Sequence, residues 1–270
     1  MAAVATAGLL VCVCLTGCSE GTGVAEDARA AAGADGVEVL HRAAATLRRA
    51  GSAKARTSME MATGGTRVTV RGEGVYDFEL RRGRLKVLLP PDPAGADEHR
   101  PITELLAPGA LFMKNRGAGV PADKWVRVDT ATLSDGNLVT GGATDPYVAA
   151  ELLRGARTAS YVGRTEFAGT VVRHYRGTAD LGVAASSAPK ADRDALKAAA
   201  KGFATARVPF DAYLDEQGRL RKVRHRFSFV NGQHKGTVAV ASTTLLYDFG
   251  VAVDVRLPES ADIFAGKIAE

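Results

Sequence analysis

Residues 53–80, AKARTSMEMATGGTRVTVRGEGVYDFEL, decide the fold class. Polar and apolar side chains alternate on both sides of Gly64-Gly65, a pair suited to a two-residue hairpin turn. Such a turn sets Met59 against Val70, Met61 against Val68, Glu60 against Thr69 and Arg56 against Glu73. Met59, Met61, Val68, Val70, Tyr76 and Phe78 then line one face, and Arg56, Glu60, Arg67, Arg71 and Glu73 the other. Alternation this regular means an antiparallel sheet with one side in water. Gly72 and Gly74 fall on the apolar side and predict a bend or bulge, as a strongly curved sheet needs.

The last third of the chain repeats the pattern. A strand over 207–214 turns at 215–218 into a second over 219–230, and Asn231-Gly232 is the strongest short hairpin signal in the chain. A two-residue turn there pairs Val223 with Val240 and His225 with Val238, with Phe227 opposite Gly236 and Phe229 opposite His234. Phe210 is expected opposite Val223. Phe210, Val223, Phe227, Phe229 and Val238 share the apolar face, while Lys222, Arg224, Arg226 and Lys235 form a solvated one. Residues 245–258 read as a further strand.

Between these regions, strands are expected at 84–89, 111–113 and 125–128, with Pro90-Pro91 and a polar loop over 92–100 interrupting them. A hairpin at 161–167 and 171–181 turns at Gly169. Val37, Leu40, Ala44 and Leu47 mark one side of a helix ended by Gly51. Asp145-Pro146 caps and opens a second helix, with Val148, Leu152 and Leu153 on its apolar side. A third spans 190–203, with Leu196, Ala199 and Phe203 on one side. About nine or ten strands in hairpin order with about three helices predict an α+β fold. It is a curved antiparallel sheet, a half-open β-barrel, covered on its concave side by the helices, in a single domain over 37–270. No internal repeat is present.

Composition bounds the function. With 270 residues and 46% hydrophobic side chains, the chain has enough apolar material for a core and is not wholly disordered. Its 35 Lys and Arg against 30 Asp and Glu give +5, spread along the chain. That suits an anionic surface and lacks the dense basic block of a nucleic-acid binder. Residues 1–17 carry no charge, and the apolar run 9–15 is too short to span a bilayer, which needs about 20 residues. It has the length of a signal-peptide core. The run ends in Leu15-Thr16-Gly17-Cys18, the spelling of a bacterial lipobox: an aliphatic residue, two small ones, and the cysteine whose thiol accepts diacylglyceryl. Residues 1–17 are therefore expected to be a lipoprotein signal peptide, Cys18 the lipidated residue, and 18–36 a flexible tether reaching roughly 20–25 Å. The expected location is the extracytoplasmic face of the cell membrane, held by acyl chains such as palmitate; two chains give a lasting anchor where one is marginal. Cys12, Cys14 and Cys18 are the only cysteines, so the body beyond position 18 has no disulfide.

Catalytic signatures are missing. His41, His99, His174, His225 and His234 lack metal-ligand spacing. Residues 187–190 spell S-x-x-K, but no K-T-G follows, and Asp248-Phe249-Gly250 lacks the other kinase motifs. There is no G-x-S-x-G, P-loop or dinucleotide fingerprint. No enzyme activity, metal or cofactor is expected.

Several loose motifs occur in order: the lipobox at Cys18, the helix then hairpin, Met113-Lys114 followed by Trp125-Val126, the turn over 214–220, and the ending Tyr247-Asp248-Phe249-Gly250 with Val253 and Pro258. Together they resemble the LppX/LprAFG lipoproteins of actinobacteria, which share the LolA/LolB-like fold. The resemblance implies a hydrophobic cavity that holds acyl chains, and carriage of membrane lipids or glycolipids across the envelope. The expected lining is Met59, Met61, Val68, Val70, Tyr76, Phe78, Phe210, Val223, Phe227, Phe229 and Val238. Ala-rich helices fill less of the space over a sheet, which favours a cavity over close packing. The alternative is an envelope sensor or interaction module of the same fold without a transported ligand.

Overall fold

The protein is described by a computed structural model over residues 35–63, 66–90, 100–231 and 236–266. The expected signal peptide, Cys18 and all but the end of the tether lie outside the described residues. So do Gly64-Gly65, most of the 92–100 loop, His99, and residues 232–235 with His234 and Lys235.

Among the described residues, eleven strands form one sheet. In chain order they are β1 (Ser52–Thr63), β2 (Thr66–Asp77), β3 (Arg82–Leu88), β4 (Ile102–Ala107), β5 (Ala110–Lys114), β6 (Val126–Asp129), β7 (Ala156–Phe167), β8 (Thr170–Asp180), β9 (Arg207–Leu214), β10 (Leu220–Asn231) and β11 (Gly236–Tyr247). Their spatial order is β6-β5-β4-β3-β2-β1-β11-β10-β9-β8-β7. Each neighbouring pair is antiparallel. The chain thus lays down a six-strand meander, crosses over, and returns through a five-strand meander whose last strand pairs with the first. β6 and β7 are left as edges, so the sheet stays open.

Five short helices cover one face: α1 (35–41), α2 (Ala43–Arg49), α3 (Pro146–Glu151), α4 (Leu181–Ser187) and α5 (Lys190–Gly202). The expected first helix is real, with Leu40, Ala44 and Leu47 fully buried, but a turn at Arg42 splits it in two. Gly51 ends it at φ +79°, a left-handed conformation that glycine adopts without a Cβ penalty. Asp145 caps α3 as expected, accepting from Tyr147 N at 2.7 Å and Val148 N at 3.2 Å, with Pro146 at the first helical position. Pro189 separates α4 from α5, and α4 takes Leu181, the expected last residue of a strand, with the six residues after it, where no helix is expected. The helices bury small residues, among them Ala43, Ala44, Ala149, Ala150, Ala184, Ala185, Ala195 and Ala199.

Register is where expectation and structure part. The β1–β2 pairing is as expected, with Met59 opposite Val70, Met61 opposite Val68 and Arg56 opposite Glu73. The β10–β11 register differs from the one that a two-residue turn at Asn231-Gly232 would set. Asn231 pairs with Gly236, which shifts β11 by four residues: Val223 faces Thr244, His225 faces Ser242, Phe227 faces Val240 and Phe229 faces Val238. This register sets both phenylalanines against valines instead of Gly236 and His234. A bulge between Leu220 and Lys222 likewise brings Phe210 opposite His225 and Ala212 opposite Val223. Both slips are even, so every residue keeps its expected face.

Residues 251–258 do not extend the sheet. Val253, Val255 and Leu257 lie over Leu105 and Phe112 on the outer side of β4 and β5, forming a second, smaller apolar cluster.

Candidate functional site: the helix-covered face

The register arranges the inner face in rows that cross the strands. One row holds Val68, Met61, Val240 and Phe227; the next holds Val70, Met59, Ser242, His225 and Phe210. A third runs Ile102, Val87, Gly72, Thr57, Thr244, Val223, Ala212, Tyr175. A fourth runs Val126, Met113, Glu104, Leu85, Gly74, Ala55, Leu246.

All eleven residues named from the sequence are on this side. Met59, Val70, Tyr76, Phe78, Phe210, Val223 and Phe227 are buried in one core cluster with helix residues. Met61, Val68, Phe229 and Val238, near the ends of the two long hairpins, are half-buried. Phe203, just past α5, stacks on Phe227 at 4.8 Å and meets Phe229 at 4.6 Å. Tyr76 and Phe78 are in ring contact at 5.0 Å. The apolar surface therefore runs without a break from the half-exposed hairpin ends into the interior.

Polar ties fasten the cover to the sheet. The Tyr76 hydroxyl donates to Asp145 Oδ2 at 3.1 Å, Arg81 pairs with Asp192 of α5, and the Arg81 guanidinium lies 4.7 Å over the Tyr147 ring. Burial pushes the Asp145 carboxyl up to about 6, and raises Asp192 and Glu151 above the usual carboxylate range. A gap of about 20 Å³, the size of a single water, remains among Tyr76, Arg81, Asn137, Asp145 and Asp192. Thr144 Oγ1 donates to Leu138 O at 2.8 Å and lies 2.6 Å from Ser242 Oγ, fixing residues 138–144 against the middle of the sheet.

Other polar groups on this face find no partner among the described residues. They are Thr57 Oγ1, Thr244 Oγ1, His225 Nε2 and both carboxylate oxygens of Glu104. Burial pushes Glu104 up to about 8 and His225 down to about 3, so both are uncharged at neutral pH. These groups were not singled out as functional from the sequence. The sequence expectation sets His225 opposite Val238 without metal-ligand spacing, and it includes no strand at β4, which carries Glu104. A carboxylate two residues from Ile102 and Leu106, sharing their face, was the available signal.

The outer face is polar. Asp211 receives His174 Nε2 at 2.8 Å, Arg176 Nε at 2.9 Å and Arg226 at 2.7 Å, and Arg224 meets Glu60 at 3.2 Å. Of the expected solvated row, Lys222 lies 5.0 Å over the Tyr213 ring. A groove of about 330 Å³ crosses this face between Leu88 and Leu245, flanked by Arg56 and Arg71.

No protein-family model matches the chain, and no curated protein does. Among solved structures the chain is similar to the Mycobacterium tuberculosis lipoprotein LppX, at 10% identity and a TM-score of 0.49, over 83% of this chain and 99% of that one. It is also similar to LprF from Mycobacterium bovis, at 12% identity and a TM-score of 0.42, over 83% of this chain and 97% of that one. A LolA-superfamily protein from Nitrosomonas europaea follows at 12% identity and a TM-score of 0.36, over 79% and 94% of the two chains.

Proposed function

We propose that this protein is a lipid-anchored envelope lipoprotein that holds the acyl chains of a membrane lipid or glycolipid between the inner face of the sheet and the helices, without catalysis. The observation that carries this reading is the continuous apolar track. It starts at half-exposed Met61, Val68, Phe229 and Val238 and passes into buried Met59, Val70, Phe227 and Val240. An acyl chain entering there leaves water at about 0.8 kcal/mol per CH₂. The cover it must displace consists of helices of six to thirteen residues, and eight of the fifteen side chains they bury are alanines, each giving up little apolar area. The eleven inner-face residues are the proposed lining, and Cys18 the proposed anchor.

Native mass spectrometry of residues 19–270 tests the binding claim. The expected result is a co-purifying lipid, or uptake of a fluorescent fatty-acyl probe by the stripped protein. A bare protein that takes up no probe overturns it and favours an interaction module of the same fold. The anchor is tested separately by metabolic labelling with a fatty-acid analogue. Cys18→Ala is expected to abolish the label, and a labelled variant would sink the lipoprotein assignment.

A further inference from the structure

The centre of the inner face is built differently from its surroundings. Thr57 on β1 pairs directly with Thr244 on β11, and Ser242, two residues along, pairs with His225 on β10. Directly paired side chains sit about 5 Å apart and diagonal neighbours on adjacent strands about 7–8 Å apart, so Thr57 adjoins Thr244 and Thr244 adjoins His225, with β11 lying between Thr57 and His225. Their exposures are 5% for Thr57, 2% for Thr244, 3% for Ser242 and 1% for His225. Ser242 is satisfied by Thr144, while Thr57 Oγ1, Thr244 Oγ1 and His225 Nε2 have no partner among the described residues. Buried polar atoms nearly always have partners, and three orphans on three neighbouring strands is an unusual concentration of stability cost. The Thr57 hydroxyl occupies the space over Gly72, where a Cβ would come within 2.5 Å of its Oγ1.

We infer that Thr57, Thr244 and His225 form a hydrogen-bonding seat, strung across β1, β11 and β10, for the uncharged polar part of the bound lipid, a hydroxyl, ester or amide, at the middle of the apolar face. This rests on the lipid-binding reading and adds which part of the ligand goes deepest. The seat supplies two hydroxyls, each donor and acceptor, and one imidazole nitrogen. Its chemistry selects against an ionised headgroup. Arg226, the neighbouring cation, is on the opposite face, where it binds Asp211. His225 stays neutral, so the seat holds no charge to pair with an ion. Entry requires residues 138–144 to lift, and the Thr144–Ser242 contact is the hydrogen bond across that boundary.

The test uses the full-length chain purified in detergent, with 1-dodecanol and dodecane competing against a fluorescent fatty-acyl probe. Comparing the alcohol-to-alkane ratio between proteins cancels the difference in solubility. The double variant Thr57→Val/Thr244→Val preserves shape and removes both hydroxyls. It is expected to melt no lower than wild type when ligand-free, to bind the alcohol about tenfold more weakly, and to bind the alkane unchanged. Equal alcohol-to-alkane ratios in variant and wild type overturn the seat while leaving lipid binding intact. A wild-type chain that binds neither the probe nor either competitor overturns both. A second readout needs no variant: the ¹⁵N resonance of His225 Nε2 is expected to shift with dodecanol and not with dodecane. A resonance that ignores both while the probe is displaced overturns the seat.

Discussion

Asp211 and Glu104 are carboxylates on the two faces of one sheet, and the protein treats them in opposite ways. Asp211 is 4% exposed on the outer face. Burial pushes its carboxyl up, but hydrogen bonds from Arg226, Arg176 and His174 outweigh that and hold it down to about 2. Glu104 is fully buried on the inner face, has no partner for either oxygen among the described residues, and is pushed up to about 8. The outer face gathers cations around its buried carboxylate. The inner face leaves a carboxyl, an imidazole nitrogen and two hydroxyls unmatched. The outer groups stabilise the fold; the inner ones weaken it, as groups at binding surfaces often do.

Four substitutions break or sharpen this contrast. Phe227→Ala removes a ring stacked on Phe203 from the inner face and is expected to cost about 3–5 kcal/mol by chemical denaturation. A loss under 1 kcal/mol would mean the face is loosely filled even without ligand. Glu104→Leu is expected to stabilise by about 1–3 kcal/mol at pH 8, because it deletes an unmatched polar group. The sign follows from linkage. Folded Glu104 keeps its proton to about pH 8, whereas the unfolded side chain releases it near 4.5, so this group lowers wild-type stability as pH rises across that window. The variant is expected to lack that slope, and a less stable variant at pH 8 would show that Glu104 is satisfied in solution.

Asp211→Asn acts in the reverse sense. It is expected to cost about 1–2 kcal/mol at pH 7. The contribution of Asp211 is present above its unfolded value of 3.8 and is lost as pH falls through about 2, so the two proteins should converge in strong acid. A constant gap down to pH 1.5 would point to packing instead of charge. The smallest effect belongs to Arg71→Ala, an exposed side chain without an ion-pair partner among the described residues, expected to change stability by less than about 0.5 kcal/mol. A larger loss would mean that the groove between Leu88 and Leu245 contributes to the fold.

Much of this contrast was legible in the sequence, because period-two alternation assigns faces directly. That rule alone places Arg56, Glu60 and Arg71 outward and Met59, Val70 and Phe227 inward. Face assignment even survived the wrong register at Asn231-Gly232, since a shift of four residues preserves parity. What alternation could not reveal was β4. Ile102, Glu104, Leu105 and Leu106 are all buried, because residues 251–258 cover the outer side as the main core covers the inner. A strand buried on both sides has no polar rhythm to read. Those covering residues misled for the complementary reason: Val251, Val253, Val255 and Leu257 alternate like a strand but serve as packing. The seat at Thr57 and Thr244 was illegible because threonine is an ordinary strand residue, and sequence does not tell whether a buried hydroxyl has a partner.

The seam between β1 and β11 has a consequence for how the chain assembles. Every other pair in the sheet joins strands that are consecutive in sequence, and β6 and β7, though consecutive, lie at opposite edges. Each meander can therefore zip up from local hairpins, but the two are joined in the sheet through nine residue pairs, from Lys54 with Tyr247 to Ala62 with Ala239. During synthesis β1 emerges early, and its second edge stays unpaired until β11 follows. For that interval it offers a long, β-prone ladder to any other chain, a template for mispairing. Closure of this seam is the high-contact-order step, so it sets the pace of folding and the period of greatest exposure to aggregation.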